Sequence, residues 1–407
     1  MSLDTRRYMV NSAAPSPTSY AYARHKRSHS WPAVVAALLA GFVTTAGASS
    51  VVLNPIQQLP LSTEAGSNYS IAVHGNFILV GRVPPSSRDP GIVLVYVKDS
   101  HCRGERCWFL KSEIHRPDAF GGDAFGASIA FDGKTLVVGS PNYGSAAEGA
   151  AAFVYKLEGD QFTAPQKLTG DPVPPVFDKF GFAVVVKNNQ LAITDTMSKA
   201  TYVFRRSSNG VWLHEARLQG EAIQYGISVD LSKRTLVVGS DVPGDADVFE
   251  RDQRAWRKQQ TLIPWDTTGG GFGVSVATDG KRIAVGAYCA PDCSGSACGA
   301  AYLFRELNGG WAPEEKLETP GNDSCGYFGW SVLIRDHRLA VMSRDGIYIF
   351  DRRNLAWINS AKLAGPNIFA AYSYEPMGWD RSTLAVTGWT GVWIYDLSGI
   401  ERSASGQ

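Results

Sequence analysis

The sequence lacks the signatures by which many enzymes and nucleic-acid-binding proteins are recognised. It has no Gly-x-Ser-x-Gly elbow and no His-Glu-x-x-His pair. Its seven histidines are scattered, and none is spaced as a metal-binding pair. His25 and His29 fall near the N-terminus, His74 and His337 in short turns, and His101, His115 and His214 around later strands. There is no basic excess either, with 39 Lys and Arg against 38 Asp and Glu. Nucleic-acid binding needs a basic face, so that class is set aside. Beyond residue 48 no stretch is long and apolar enough to cross a bilayer, and no segment has a helical period. These absences point away from a metalloprotease, a serine hydrolase and a helical receptor. They do not exclude carboxylates that meet only in space.

The one long apolar run is Trp31 to Ala48, which carries no charge and ends in Ala46-Gly47-Ala48. Ahead of it, residues 1–30 hold five basic residues (Arg6, Arg7, Arg24, Lys26, Arg27) and one acid, Asp4. A basic, disordered leader (1–30), an apolar segment and a small-x-small site (31–48) read as a secretory signal cleaved near Ala48. The alternative is an uncleaved signal anchor. Removal of the leader takes the net charge from +1 to −3. The expected location is secreted or extracytoplasmic.

All six cysteines lie beyond that site. An even number in an exported chain argues for disulfides. Cys102 and Cys107 bracket a short loop, and Cys289, Cys293, Cys298 and Cys325 form a second group. Zinc is the rival for that second group, but it has no Cys-x-x-Cys and the compartment disfavours free thiolates. Its pairing stays open.

What the chain does have is a repeat. An aromatic-Gly doublet is followed eleven residues later by a short apolar strand. The clearest copies are Phe125-Gly126 with Leu136-Val137-Val138-Gly139 and Phe272-Gly273 with Ile283-Ala284-Val285-Gly286. Weaker copies start at Phe180, Tyr225 and Phe328, and degenerate ones at Ser67 and Ser373. Each unit adds a third strand of small and aromatic residues (Ala150 to Tyr155, Ala200 to Phe204, Ala300 to Phe304, Gly346 to Phe350). A fourth opens on Trp and closes on Leu (Trp212 to Leu218, Trp256 to Leu262, Trp311 to Leu317, Trp357 to Leu363). Period-2 patterns bounded by Gly, Asp and Asn predict strands. Seven such units over residues 49–400 predict an all-β, seven-bladed β-propeller of four-stranded blades, with 401–407 as a disordered tail. The last unit lacks a fourth strand, and Val51 to Leu61 resembles an isolated one. The N-terminal strand is therefore expected to complete the last blade.

On these doublets, the Gly-Ser/Ala strand ends (Gly139-Ser140, Gly239-Ser240, Gly286-Ala287) and the Ala-x-Phe/Tyr third strands, the units resemble FG-GAP repeats of the integrin α-subunit type. The resemblance spans residues 51–398 and implies a binding propeller. In many blades of that family calcium sits in the turn between strands one and two, on an Asp-x-Asp/Asn-x-Asp-Gly run. Here the turns are Asp132-Gly133-Lys134, Lys187-Asn188-Asn189, Ser232-Lys233-Arg234, Asp279-Gly280-Lys281 and Arg335-Asp336-His337-Arg338. One acid per turn does not supply six to eight oxygens. No cofactor and no metal are expected.

The longer loops join strand two to three and strand four to the next blade, so they share one face, where the family also tends to bind its partners. Binding sites favour loops on a rigid scaffold. The acids there are Asp118, Asp123, Asp171, Asp178, Asp266 and Asp323, which either bind a ligand or cap turns. The aromatics are Tyr143, Trp265, Tyr288 and Tyr327, which either stack on a ligand or pack between blades. A bridge to Cys325 would staple the loop that holds Cys289, Cys293 and Cys298. The expected protein is a monomeric, non-catalytic binding propeller for a protein ligand in adhesion or surface recognition. A lectin-like propeller for glycans is the alternative, and an enzyme with a site at the central channel is the third. No membrane contact is expected beyond the N-terminal anchor that an uncleaved signal would provide.

Overall fold

The computed structural model describes residues 50–61, 67–85, 89–102, 107–142, 149–170, 179–253, 255–266, 270–288, 299–320, 326–365, 376–388 and 391–400. Ala48–Gln407 forms one compact unit. Its strands make seven sheets, antiparallel except where the N-terminal strand joins blade six. Blades one to six occupy residues 68–115, 128–168, 180–219, 225–262, 272–318 and 332–363. Blade seven combines 377–396 with a strand from the N-terminus. The innermost strand of each blade touches that of the next, and blade seven returns to blade one, so the ring closes. The fold is the predicted seven-bladed β-propeller.

The doublets explain why the blades stack at this spacing. Phe125, Phe180, Tyr225, Phe272 and Phe328 are fully buried between blades. Four of them meet a third-strand ring edge-on: Phe125 with Phe153, Phe180 with Tyr202, Phe272 with Tyr302 and Phe328 with Phe350. The doublet glycine takes a positive φ, between 85° and 94° at Gly126, Gly181, Gly226, Gly273 and Gly329. That conformation is cheap only for Gly. It turns the glycine carbonyl toward the preceding blade. There a hydroxyl on the innermost strand donates to it: Ser70 to Gly126 (2.8 Å), Ser128 to Gly181 (2.9 Å), Ser228 to Gly273 (2.9 Å) and Ser275 to Gly329 (3.0 Å). The strand-two glycine of the donor blade leaves room for this approach. A Cβ on Gly139 would lie 2.1 Å from Gly181 O.

Blade three breaks the pattern and repairs it. Ala183 stands where the donor serine belongs, and Thr194 where the strand-two glycine belongs. Thr194 Oγ1 donates to Gly226 O at 2.7 Å, so the hydroxyl arrives from the neighbouring strand. Thr194→Gly alone is expected to cost about 1–2 kcal/mol by orphaning a buried carbonyl. Adding Ala183→Ser restores the donor and most of the loss. Purely additive losses in thermal melts of the two singles and the double would contradict this coupling.

The N-terminal segment does more than the sequence pattern foretold. Val51 to Leu61 is not one strand. β1 (Val51–Leu53) pairs in parallel with the outer strand of blade six, Val51 opposite Ala361. Asn54-Pro55 then breaks the strand, since proline has no N–H to donate. β2 (Gln57–Pro60) pairs antiparallel with 391–394 and supplies the missing fourth strand of blade seven. Leu59 and Leu61 are buried against Val392, Ile394 and the first strands of blade one. An N-terminal strand thus completes the last blade as expected, through β2, and because the proline divides the segment β1 adds a second clasp on blade six.

The innermost strands of all seven blades line an axial channel of about 1070 Å³. The turns between strands one and two ring one mouth of the channel. Asn188 and Asn189 both take positive φ (53° and 63°), as a two-residue hairpin turn requires. Strands three and four of blade one are joined on this same turn face, where Cys102 and Cys107 form a disulfide with Cα atoms 5.5 Å apart. Cys289, Cys293, Cys298 and Cys325 lie outside the described residues.

Candidate functional site

The opposite face carries the connections from strand two to three and from strand four to the next blade. Of the acids expected there, Asp171, Asp178 and Asp323 lie outside the described residues, as does Tyr143. The others are brought to separate places rather than to one centre.

Asp123 is fully buried. Its Oδ1 accepts from Phe125 N (3.0 Å) and from Gly91 N of blade one (2.9 Å), and Oδ2 accepts from Phe120 N (3.4 Å). The carboxylate caps the entry turn and ties it to blade one, which leaves nothing to offer a ligand. Asp118 is half-exposed and accepts from Arg116 Nε (2.7 Å) and Lys167 Nζ (2.6 Å). These hydrogen bonds, that from Arg116 foremost, hold its carboxyl well below the usual carboxylate range. Arg116 itself is a fully buried cation, set 4.5 Å from the Phe120 ring and donating to Ser140 Oγ at 2.9 Å. The Arg116–Asp118 pair is a seam between blades one and two.

Trp265 and Asp266 stand at the end of blade four. Asp266 accepts from Tyr302 Oη (2.6 Å) and Lys316 Nζ (2.8 Å) of blade five. Trp265 packs edge-on against Tyr302 and Phe304 with part of its ring in solvent. Tyr288 of blade five lies nearly parallel to Tyr327 of blade six (interplanar 18°, centroids 5.9 Å) and edge-on to Trp330. It also reaches back to Asp241 of blade four, whose carboxyl is pushed up by burial against the pull of that hydrogen bond. Tyr327 holds a left-handed backbone (φ 55°), where the equivalent position of blade five is Gly271 (φ 70°).

Two features escaped the sequence reading. The first is a set of exposed aliphatic side chains on short loops of this same face. Met197 and Val242 sit in four-residue connections, and Ile223 and Ile263 follow the outer strands of blades three and four. They are 56%, 41%, 70% and 63% exposed. Ile223 N donates to Val242 O (3.1 Å) and Gly220 N to Lys199 O (2.8 Å), so these loops are laced into one surface. Single apolar residues in loops carry no pattern, and only the repeat phase would have placed them together. The second is Asp245-Ala246-Asp247, which replaces the Ala-x-Phe/Tyr opening of the third strand. Asp247 is buried and held by Thr261 (2.8 Å) and Lys258 (2.8 Å). Burial, with the Asp247 charge beside it, pushes the Asp245 carboxyl up. A break in the repeat at two alternate small-or-aromatic positions was the available signal.

The turns where the family holds calcium do not fit that ion. Asp132 Oδ1 accepts from Lys134 N and Thr135 N, and Asp279 Oδ1 from Lys281 N and Arg282 N, within their own hairpins. Among the described residues no group of three or more His, Cys, Asp or Glu is placed to hold a metal ion.

Comparison with known proteins agrees with the repeat. The model of the FG-GAP repeat matches residues 108–155 and 256–304, which span the joins of blades one to two and four to five. A search of curated proteins finds no match. Among solved structures, that of U3-55K is similar at 12% identity and TM-score 0.55, covering 84% of this chain and 98% of that one. The WD40 repeats of RRP9 are similar at 13% identity and TM-score 0.55, covering 83% and 99%. The periplasmic gluconolactonase of Pseudomonas aeruginosa is similar at 15% identity and TM-score 0.50, covering 76% and 96%. At such identities these likenesses bear on the fold alone. Doublets, seams and matched spans together make this chain a seven-bladed β-propeller that carries FG-GAP repeats.

Proposed function

We propose that the chain is a secreted or surface-exposed, non-catalytic propeller that recognises a protein partner through the loop face of blades three to five. One observation carries this reading. Met197, Ile223, Val242, Ile263 and Trp265 are exposed together on that face, while most other exposed large apolar side chains among the described residues lie on outer strands and their hairpins. An aliphatic surface edged by polar groups such as Lys199 and Glu221 has the make-up of a protein interface, with an apolar centre and a polar rim. Aliphatic side chains offer little to a sugar ring, which prefers aromatic faces and polar groups. The partner is expected to act in adhesion or surface recognition.

Carbohydrate recognition is the second reading, and the Tyr288, Tyr327 and Trp330 cluster favours it. A glycan array with residues 49–407 separates the two. Saturable binding that is lost in Tyr327→Ala supports the sugar. The protein reading expects a clean array, together with binding to surface proteins of the source cells that falls at least tenfold in the Ile223→Asp, Val242→Asp double variant at unchanged Tm. Undiminished binding by that variant would overturn it.

A further inference from the structure

The outer strands are locked blade to blade by a repeated device, and one copy has a different chemistry. Two residues before the leucine that closes strand four, a glutamine pairs with the backbone of the tryptophan that opens strand four of the next blade. Gln57 Nε2 donates to Trp108 O (2.7 Å) while Trp108 N donates to Gln57 Oε1 (2.9 Å). Gln166 does the same with Trp212 (2.8 and 2.9 Å), and Gln260 with Trp311 (both 2.9 Å). Each amide satisfies one backbone donor and one acceptor across the seam from blade seven to one, two to three and four to five.

At the seam from blade five to six the same position is Glu315. Trp357 N donates to its Oε2 at 3.2 Å. A carboxylate has no proton to return to Trp357 O, so this lock is half made. We propose that Glu315 makes the seam between blades five and six a proton-dependent lock: the carboxylic acid donates to Trp357 O while accepting from Trp357 N, which completes the pair that glutamine makes elsewhere. One proton taken from solvent is the whole change.

The surroundings favour uptake of that proton. Burial and the neighbouring Glu314 carboxylate raise the Glu315 pKa, opposed by the Trp357 amide and by Arg352 on the adjoining strand of blade six. Glu314 is clamped by Arg282 (3.0 Å) and Arg352 (2.8 Å), which spends much of the positive charge facing the pair. Lys316, the next residue, is turned to Asp266 and Glu318, and Asp351 of blade six is held by Arg338. A folded-state pKa above the unfolded one, about 4.3 for a free glutamate, gives stability that is present below the unfolded value. It is lost as pH rises through the folded value. The other glutamine locks do not titrate, so acid strengthens this seam against the rest of the ring.

The test is thermal melting of residues 49–407 and of Glu315→Gln at pH 8 and pH 4. Glutamine is expected to raise Tm by about 2 °C at pH 8 and to leave it unchanged at pH 4. The reciprocal change Gln260→Glu is expected to lower Tm at pH 8 and to recover most of the loss at pH 4, which keeps the test open should Glu315→Gln fail to fold. A Glu315→Gln shift of the same size at both pH values would overturn the proposal. So would a Gln260→Glu loss that does not recover in acid.

Discussion

Removal of residues 49–62 is expected to lower Tm by about 10 °C or more and to make the protein prone to association. The deletion withdraws β2 and with it the fourth strand of blade seven. Burial of Leu59 and Leu61 is lost, worth about 2 kcal/mol each. The seam that Gln57 makes with Trp108 of blade one goes as well. Strand 391–396 is left with an open edge, and an open edge invites pairing between chains. The double clasp makes a graded prediction. Deleting only 49–54 removes β1, whose Val51 and Val52 are exposed, and should cost far less than deleting through β2. Thermal melts with light scattering of both truncations check this. Equal losses from the two, or none from the longer, would reject closure through β2.

The second large effect is expected at a doublet glycine. Gly329 has φ 93°, and a Cβ there would lie 2.2 Å from Ala300 O and 3.0 Å from Ala287 N of blade five. Neither backbone atom can give way without moving the seam that Ser275 closes by its bond to Gly329 O. Gly329→Ala therefore combines a left-handed backbone penalty with a backbone clash and should cost about 4 kcal/mol. Gly75 is the control. Its φ is 57° and nothing lies within 4 Å of its Cβ position, so Gly75→Ala should cost only about 1 kcal/mol. Denaturant melts compare the two. Similar losses would mean that backbone conformation alone, and not the contact between blades, sets the spacing of the doublets.

The fold was readable because its determinants recur. A doublet at Phe125 says little, but the same offset of eleven at Phe180, Tyr225, Phe272 and Phe328 places each innermost strand beside its second strand. The division of the N-terminal strand at Asn54-Pro55 was written in the sequence, but its parallel partner at Ala361 was not, since pairing across blades six and seven follows from ring closure. Site residues were harder to read for a physical reason. Asp123 and Asp118 have the same side chain and similar loops, yet one is enclosed by three amides and the other pairs with two cations. The Gln-to-Trp locks left no partner pattern, because each glutamine binds backbone. The exposed surface of Met197, Ile223 and Val242 is assembled from three loops, and only their juxtaposition gives it meaning.

Recognition through the loop face is tested most directly by photo-crosslinking on the surface of the source cells. A benzophenone side chain is placed at Ile223 or Trp265 on the loop face, and at Lys233 or Lys281 on the turn face. The account predicts a discrete protein adduct from positions 223 and 265 and none from 233 and 281. Adducts from the turn face alone, or from neither face, would contradict it.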